Sequence, residues 1–157
     1  KMAKALGCTV ITTVGDDTKA EKAKALGADH VINYKTERFE GVTRKLTAKK
    51  GVDVVFEHVG GEGFNGSLLC LKRGGRLVTC GSTAGPTTTI NLMQLFQQQY
   101  KILGSFGASM RNIRDSLSKM AAGIAPIIDT EVALKDFEQG LARLESRQVF
   151  GKVIVNF

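Results

Sequence analysis

Five times between residues 9 and 121 a short apolar run gives way to a longer stretch with helical spacing, and this alternation constrains the fold more than any other feature. Thr9-Val10-Ile11-Thr12-Thr13-Val14 is rich in β-branched residues, which suit a buried, pleated strand. An alanine- and lysine-rich stretch follows, with Thr18 and Glu21 spaced as a helix start and Gly27 placed as its stop. Asp29 to Asn33 reads as the next strand, and Phe39, Val42 and Leu46 recur at helical spacing behind it. Val52 to Phe56, Arg76 to Cys80 and Lys101 to Ser105 read as three more strands. Phe64, Leu68 and Leu71 mark a helix after the first of these, and Lys72-Arg73-Gly74-Gly75 turns the chain back. Leu92 to Gln98 predicts a short helix, and Ile113, Leu117 and Met120 a helix face laid on the strand from Lys101. Strands alternating with helices predict a doubly wound α/β domain, its parallel sheet covered on both faces. Ligands bind such a sheet beyond the carboxyl ends of its strands, so the residues just after each strand are the functional candidates.

From Gly123 onward the pattern changes. Pro126 to Thr130 reads as extended, Leu134, Phe137, Leu141 and Leu144 form an apolar helix stripe, and Gly151 to Phe157 reads as a strand. On periodicity alone this tail is either a sixth strand–helix unit or a segment returning to another domain.

The bulk numbers bound the function. The 157 residues make one domain's worth of chain, 43% hydrophobic and 24% charged, which is ordinary globular composition. No apolar run approaches the roughly 18 residues a membrane-spanning helix needs, so no membrane association is expected. Three scattered cysteines, Cys8, Cys70 and Cys80, with no CxxC pair, make neither a disulfide framework nor a zinc ribbon, and they fit a reducing cytoplasm. The net charge of +7 would attract phosphates of any kind. Yet the basic residues are scattered over helix faces, and with 2 Tyr and no Trp the stacking platforms of a nucleic-acid binder are missing. No nucleic-acid partner is expected. Lys1 reads as a cut edge, because Lys1 to Gly7 has neither an apolar signal core nor a cleavage pattern.

Four stretches, in this order, carry a family resemblance: Lys24-Ala25-Leu26-Gly27-Ala28-Asp29-His30-Val31-Ile32-Asn33-Tyr34; Val52 to Phe56 running into Val59-Gly60; Gly74-Gly75-Arg76-Leu77-Val78 into Cys80-Gly81; and Phe150 to Val155. Together they resemble the medium-chain dehydrogenase/reductase superfamily, which includes zinc-type alcohol dehydrogenases and zinc-free quinone reductases, over roughly the last half of such an enzyme. The resemblance implies a Rossmann-type domain over residues 1–123, and a segment over 124–157 that returns to a catalytic domain. It also implies a nicotinamide cofactor, a small-molecule substrate and a homo-oligomer.

Family members place a Gly-rich phosphate loop between the first strand and the first helix. The one GxGxxG here, Gly61-Glu62-Gly63-Phe64-Asn65-Gly66, follows the strand from Val52 and is not that loop, and Met2 to Gly7 reads as the end of that first helix. The expected fold therefore lacks its first strand, which lies mid-sheet beside two others.

For the cofactor, an NAD-specific domain carries an acidic residue at the end of its second strand. That position falls on Val14, followed by Gly15. In the quinone-reductase branch, residues matching Gly15, Lys19 and Tyr34 surround the 2′-phosphate, so the resemblance favours NADP(H) over NAD(H). Asp16 and Asp17 oppose this as like charges, or serve as helix caps pointing elsewhere. Val59 and Gly60, then Cys80, Gly81 and Ser82, then Gly104 and Ser105, match the positions lying along the cofactor's ribose and nicotinamide. His58 has the right pKa range for proton transfer, but a lone histidine at a strand end is commonly structural. Nothing basic in the sequence is poised to activate Cys80 as a nucleophile.

No catalytic residue is assigned within these residues. With His30 and His58 the only histidines, no zinc site is expected here; zinc belongs, if anywhere, to an N-terminal domain outside this chain. Two other readings stay open: a nucleotide-sensing protein that kept the fold without catalysis, and a basic RNA-binding protein. Two strands robbed of a shared neighbour expose open edges. A product of these 157 residues alone is therefore expected to be unstable, or dimerised through those edges, unless it is part of a longer protein. Sedimentation and a urea melt check this, and a cooperative monomer would contradict it.

Overall fold

The computed structural model describes all 157 residues. They divide into two compact units, Ala3–Gly107 with Lys1, and Ala108–Phe157 with Met2.

In the first unit the expected alternation is present. Helix α1 (Met2–Ala5) leads to β1 (Ile11–Val14), α2 (Asp17–Ala25), β2 (His30–Asn33), α3 (Phe39–Leu46) and β3 (Val52–Glu57). Then come α4 (Gly63–Leu69), β4 (Leu71–Thr79), α5 (Leu92–Gln97) and β5 (Lys101–Gly104). All pairings are parallel: β1 with β2, and β3 with β4 with β5. The open edges expected from the sequence are there, because β1 pairs with β2 alone and β3 with β4 alone.

The core of the three-stranded sheet gathers Phe64 and Leu68 of α4, Leu71 and Leu77 of β4, and Tyr100. Leu71 corrects the sequence reading. Its spacing puts it on the stripe of α4, but the helix ends at Leu69 and Leu71 pairs with Val52, fully buried. Register then jumps, Val54 pairing with Arg76, so Lys72–Gly75, read from the sequence as a turn, form an irregular bulge within β4. Burial against hydrocarbon pushes the Tyr100 phenol above its ordinary pKa, and its hydroxyl meets the Leu71 carbonyl oxygen at 3.4 Å. Packing between α3 and α4 depends on Gly66: a Cβ there would lie 2.6 Å from the Phe39 ring.

Beside the other sheet, Asp29 anchors α1. Its carboxylate accepts from Lys4 Nζ at 2.8 and 2.9 Å and from the Val10 amide at 2.7 Å. The Lys4 bond, then the Val10 amide, hold this carboxyl below its ordinary pKa.

The second unit comprises α6 (Met110–Ala121), β6 (Ile128–Ala133), a 3-10 turn (Leu134–Asp136), α7 (Phe137–Glu145) and β7 (Lys152–Asn156), with β6 and β7 parallel. Ser109 caps α6 reciprocally with Asn112. Ile113, Leu117 and Met120, read as a buried face, stand 43%, 58% and 42% exposed. The α7 stripe is similar: Phe137, Leu141 and Leu144 are exposed, and Gly140 is the buried residue. A Cβ on Gly140 would meet Val153 and Val132 at 3.2 and 3.3 Å, so α7 packs on β6 and β7 through its smallest residue.

Asp129 ties this unit together. Its side chain accepts from the Phe150 amide at 3.0 Å, Arg143 Nη2 at 2.8 Å and Thr130 Oγ1 at 2.9 Å. The Phe150 amide first, then Arg143, hold the carboxyl far below the carboxylate range. A folded pKa below the unfolded value of about 3.9 stabilises at neutral pH, and that contribution is lost as pH falls below about 4 toward the folded pKa. Protection of the amides over residues 128–150, taken relative to their intrinsic exchange rate at each pH, is expected to fall as the pH falls through that window. Asp129→Asn is expected to raise exchange already at neutral pH and to flatten the acid dependence.

Candidate functional site

Because each sheet is parallel, the carboxyl ends of its strands lie along one edge, where a ligand meets loops rather than strands. The candidates fall into two groups, one on each sheet of the first unit.

On the β1–β2 pair, Tyr34 follows β2 and donates its amide to the Val14 carbonyl oxygen at 3.1 Å. This brings the ring over Gly15, where a Cβ would lie 2.9 Å from Tyr34 Oη and 3.6 Å from Lys35 Cε. A larger residue here would push the exposed tyrosine hydroxyl aside. Lys19 lies in the first turn of α2. Asp16, not Thr18, is the N-cap: its Oδ1 accepts the Lys19 amide at 2.8 Å. Its Oδ2 stands 3.7 Å from Lys19 Nζ. The Asp17 carboxylate turns to β2 and accepts from Asn33 Nδ2 at 2.9 Å.

On the β3–β4–β5 sheet, the loops after β3 and β4 clasp one another. The centre of the clasp is Glu57, a carboxylate only 5% exposed. Its Oε1 accepts the Val59 amide at 2.9 Å, and both oxygens accept the Gly60 amide at 3.1 Å. Gly61 donates to the Gly85 carbonyl oxygen at 3.1 Å, Ala84 to that of Val59 at 2.7 Å, and Thr83 Oγ1 to that of His58 at 3.0 Å. Gly60 adopts φ +69°, and a Cβ on it would lie 2.6 Å from the Gly85 oxygen. Only glycine satisfies both conditions.

The remaining candidates flank the clasp. The Cys80 amide donates to the Glu57 carbonyl oxygen at 3.1 Å, and the Ser105 amide to that of Thr79 at 2.9 Å. Gly81 backs onto His58, a Cβ there lying 3.0 Å from its carbonyl oxygen. Ser82 accepts the Gly85 amide at 3.1 Å on its own carbonyl. A Cβ on Gly104 would meet nothing within 4 Å, so the space before it is open. His58 and Cys80 are exposed; the His58 ring lies 6.3 Å from that of Phe56, tilted by 55°.

Comparison with known proteins places the chain in a family. The profile of the family described as zinc-binding dehydrogenase matches residues 1–123. The chain belongs to that family, within the medium-chain dehydrogenase/reductase superfamily.

A quinone oxidoreductase of Salmonella typhimurium is 34% identical over 170 residues, covering 98% of this chain and 50% of its own length. A solved NAD-dependent alcohol dehydrogenase superposes with a TM-score of 0.91 at 35% identity, over 99% of this chain and 46% of its own. The 2-octenoyl-CoA carboxylase reductase CinF, solved with NADP and 2-octenoyl-CoA, superposes with a TM-score of 0.87 at 27% identity, over 98% of this chain and 39% of its own. The chain thus spans about half the length of the curated relatives it matches. These superpositions place it among Rossmann-type α/β domains.

For a zinc-binding dehydrogenase chain, the metal donors are absent from these residues. His, Cys, Asp and Glu side chains do not gather in any group of three or more, so the set does not fit a zinc ion. Burial pushes the Cys70 thiol above its ordinary pKa. No helix is long and apolar enough to cross a membrane.

The sequence reading singles out neither Glu57, just beyond the strand read as Val52 to Phe56, nor Asn33 and Lys35 on either side of Tyr34. Glu57→Gln replaces an acceptor oxygen with N–H donors facing amide donors, leaving a buried group unpaired, a cost of about 1–3 kcal/mol. The urea midpoint is expected to fall accordingly, with faster hydrogen exchange at Val59 and Gly60. An unchanged midpoint would show that Glu57 does not hold the clasp.

Proposed function

We propose that the intact protein is an oxidoreductase that transfers hydride between NADP(H) and a small carbonyl, alcohol, quinone or enone substrate. Residues 1–123 form the dinucleotide-binding part, and residues 124–157 return toward a substrate-binding part. The named functions of the relatives, quinone oxidoreductase and alcohol dehydrogenase among them, support an activity of this class.

The observation that carries the cofactor choice is the corner at Gly15. A domain that selects NAD presents a carboxylate to the ribose 2′-hydroxyl from the end of this strand. Here Val14 and Gly15 have none. The neighbouring Asp16 spends one oxygen on the helix amide and holds the other near Lys19. In place of a carboxylate, the Tyr34 hydroxyl lies over the glycine with Lys35 beside it, and Lys19 stands against the adjacent Asp16. A hydroxyl donor and ammonium groups suit a phosphate and are wasted on a neutral ribose diol.

When bound, NADP(H) supplies the hydride chemistry; the residues of this chain hold it. Gly15, Lys19 and Tyr34 take the 2′-phosphate. Val59 and Gly60 meet the ribose side with side-chain and Cα surface, because the amides of Val59, Gly60 and Gly61 are already bonded. Cys80, Gly81 and Ser82, with Gly104 and Ser105, line the nicotinamide end.

The test is titration of NADPH and NADH into the intact protein, followed by reduced-nicotinamide fluorescence. NADPH is expected to bind at least about tenfold more tightly, a difference of about 1.4 kcal/mol. Gly15→Asp, which places a carboxylate in the corner and displaces Tyr34, is expected to reverse that preference. A wild-type protein that favours NADH would overturn the cofactor assignment.

A further inference from the structure

Gly15 has a second neighbour that the family resemblance did not supply. Lys35 Cε lies 3.6 Å from the position of a Gly15 Cβ, on the same glycine that the Tyr34 hydroxyl covers, and its ammonium group is one bond further. Resting on the NADP(H) reading above, we infer that Lys35, rather than Lys19, is the dominant cation for the cofactor 2′-phosphate.

Two independent features carry this. The first is construction. Asn33 closes the turn after β2 and fixes where Lys35 leaves the backbone. Its Oδ1 accepts the Lys35 amide at 3.2 Å, and its carbonyl oxygen accepts the amides of Thr36 and Glu37 at 3.1 and 3.0 Å and Thr36 Oγ1 at 3.2 Å. Its Nδ2 is bonded to Asp17, so the same side chain ties the turn to the first turn of α2. With the Tyr34 amide on Val14, the segment is held on both sides, and Lys35 is set above Gly15 by a fixed turn.

The second feature is charge. Lys19 already faces Asp16 at 3.7 Å, and Asp16 cannot move away without uncapping α2. A phosphate approaching Lys19 therefore also approaches that carboxylate, and the attraction is partly cancelled. Lys35 has no such partner: the ion pairs of the molecule do not include it. Two ammonium groups of equal formal charge thus differ in what they offer a dianion. Asp17, the other acid of this corner, is bonded to Asn33 and lies on the α2 side of the turn.

The experiment measures dissociation constants of NADPH and NADH by fluorescence for the intact wild-type protein and the variants Lys35→Ala, Lys35→Arg and Lys19→Ala. It is repeated at low and high salt, with urea midpoints confirming that each variant is folded. Lys35→Ala is expected to weaken NADPH about tenfold and NADH less than about twofold, as loss of one charge-assisted phosphate contact predicts. Lys19→Ala is expected to weaken NADPH by a smaller factor, and Lys35→Arg to keep the NADPH preference. The salt dependence of NADPH binding is expected to flatten in Lys35→Ala, since screening acts on the charge removed. A loss in Lys19→Ala equal to or greater than that in Lys35→Ala overturns the inference and leaves the NADP(H) reading intact. A wild-type protein with no NADPH preference overturns both.

Discussion

The Glu57 carboxylate is the contact on which the ligand side of the larger sheet depends. A charge buried to this degree is costly unless its lone pairs are filled. Glu57 fills them with the two amides of its own following loop. That choice turns the Val59 and Gly60 amides inward and forces the left-handed turn at Gly60. It also brings the loop against Gly85, where the backbones approach so closely that a side chain cannot fit. The loops after β3 and β4 then exchange hydrogen bonds in both directions and behave as one ridge. Such a ridge presents carbonyl, Cα and small side-chain surface. It is suited to lying along a flat ring or a ribose, and unsuited to cradling a phosphate with amides.

The corner at Gly15 solves a different problem with different means. There the groups proposed to meet the cofactor phosphate are side chains on two adjacent elements, and two short polar residues set their positions. Asp16 caps α2 and restrains Lys19, while Asn33 closes the next turn and restrains Tyr34 and Lys35. Each of these residues does two jobs, capping backbone and orienting a cation. A substitution that looks like a loss of local capping would therefore also change the charge distribution around Gly15.

Much of this was legible from residue order. Five strands with intervening helices, the glycine beside Tyr34, the irregularity at Lys72–Gly75 and the small residues after β4 all follow from periodicity, turn chemistry or resemblance. What escaped was of one kind. Leu71 keeps helical spacing with Phe64 and Leu68, yet α4 ends at Leu69 and Leu71 joins the ladder opposite Val52. Thr18 and Asp16 both satisfy a capping pattern in sequence, and only the fold gives the cap to Asp16. Ile113, Leu117 and Met120, with Phe137, Leu141 and Leu144, keep helical spacing as a buried stripe would, yet stand exposed. Periodicity states which residues share a face; what covers that face depends on neighbours far along the chain or outside it.

The sequence by itself determined the class of fold and the absence of a carboxylate at the end of β1. These rest on local terms: β-branched runs, helical spacing and turn-forming glycines act over a few residues, so their information lies in adjacent letters. Only the tertiary structure decided that Glu57 is a hub, that Asp16 shadows Lys19 and that Lys35 shares Gly15 with Tyr34. Those facts join residues from different strands and loops. They arise from which buried donors must find acceptors and which charges end up side by side, and hydrogen bonding and electrostatics depend on distance in space.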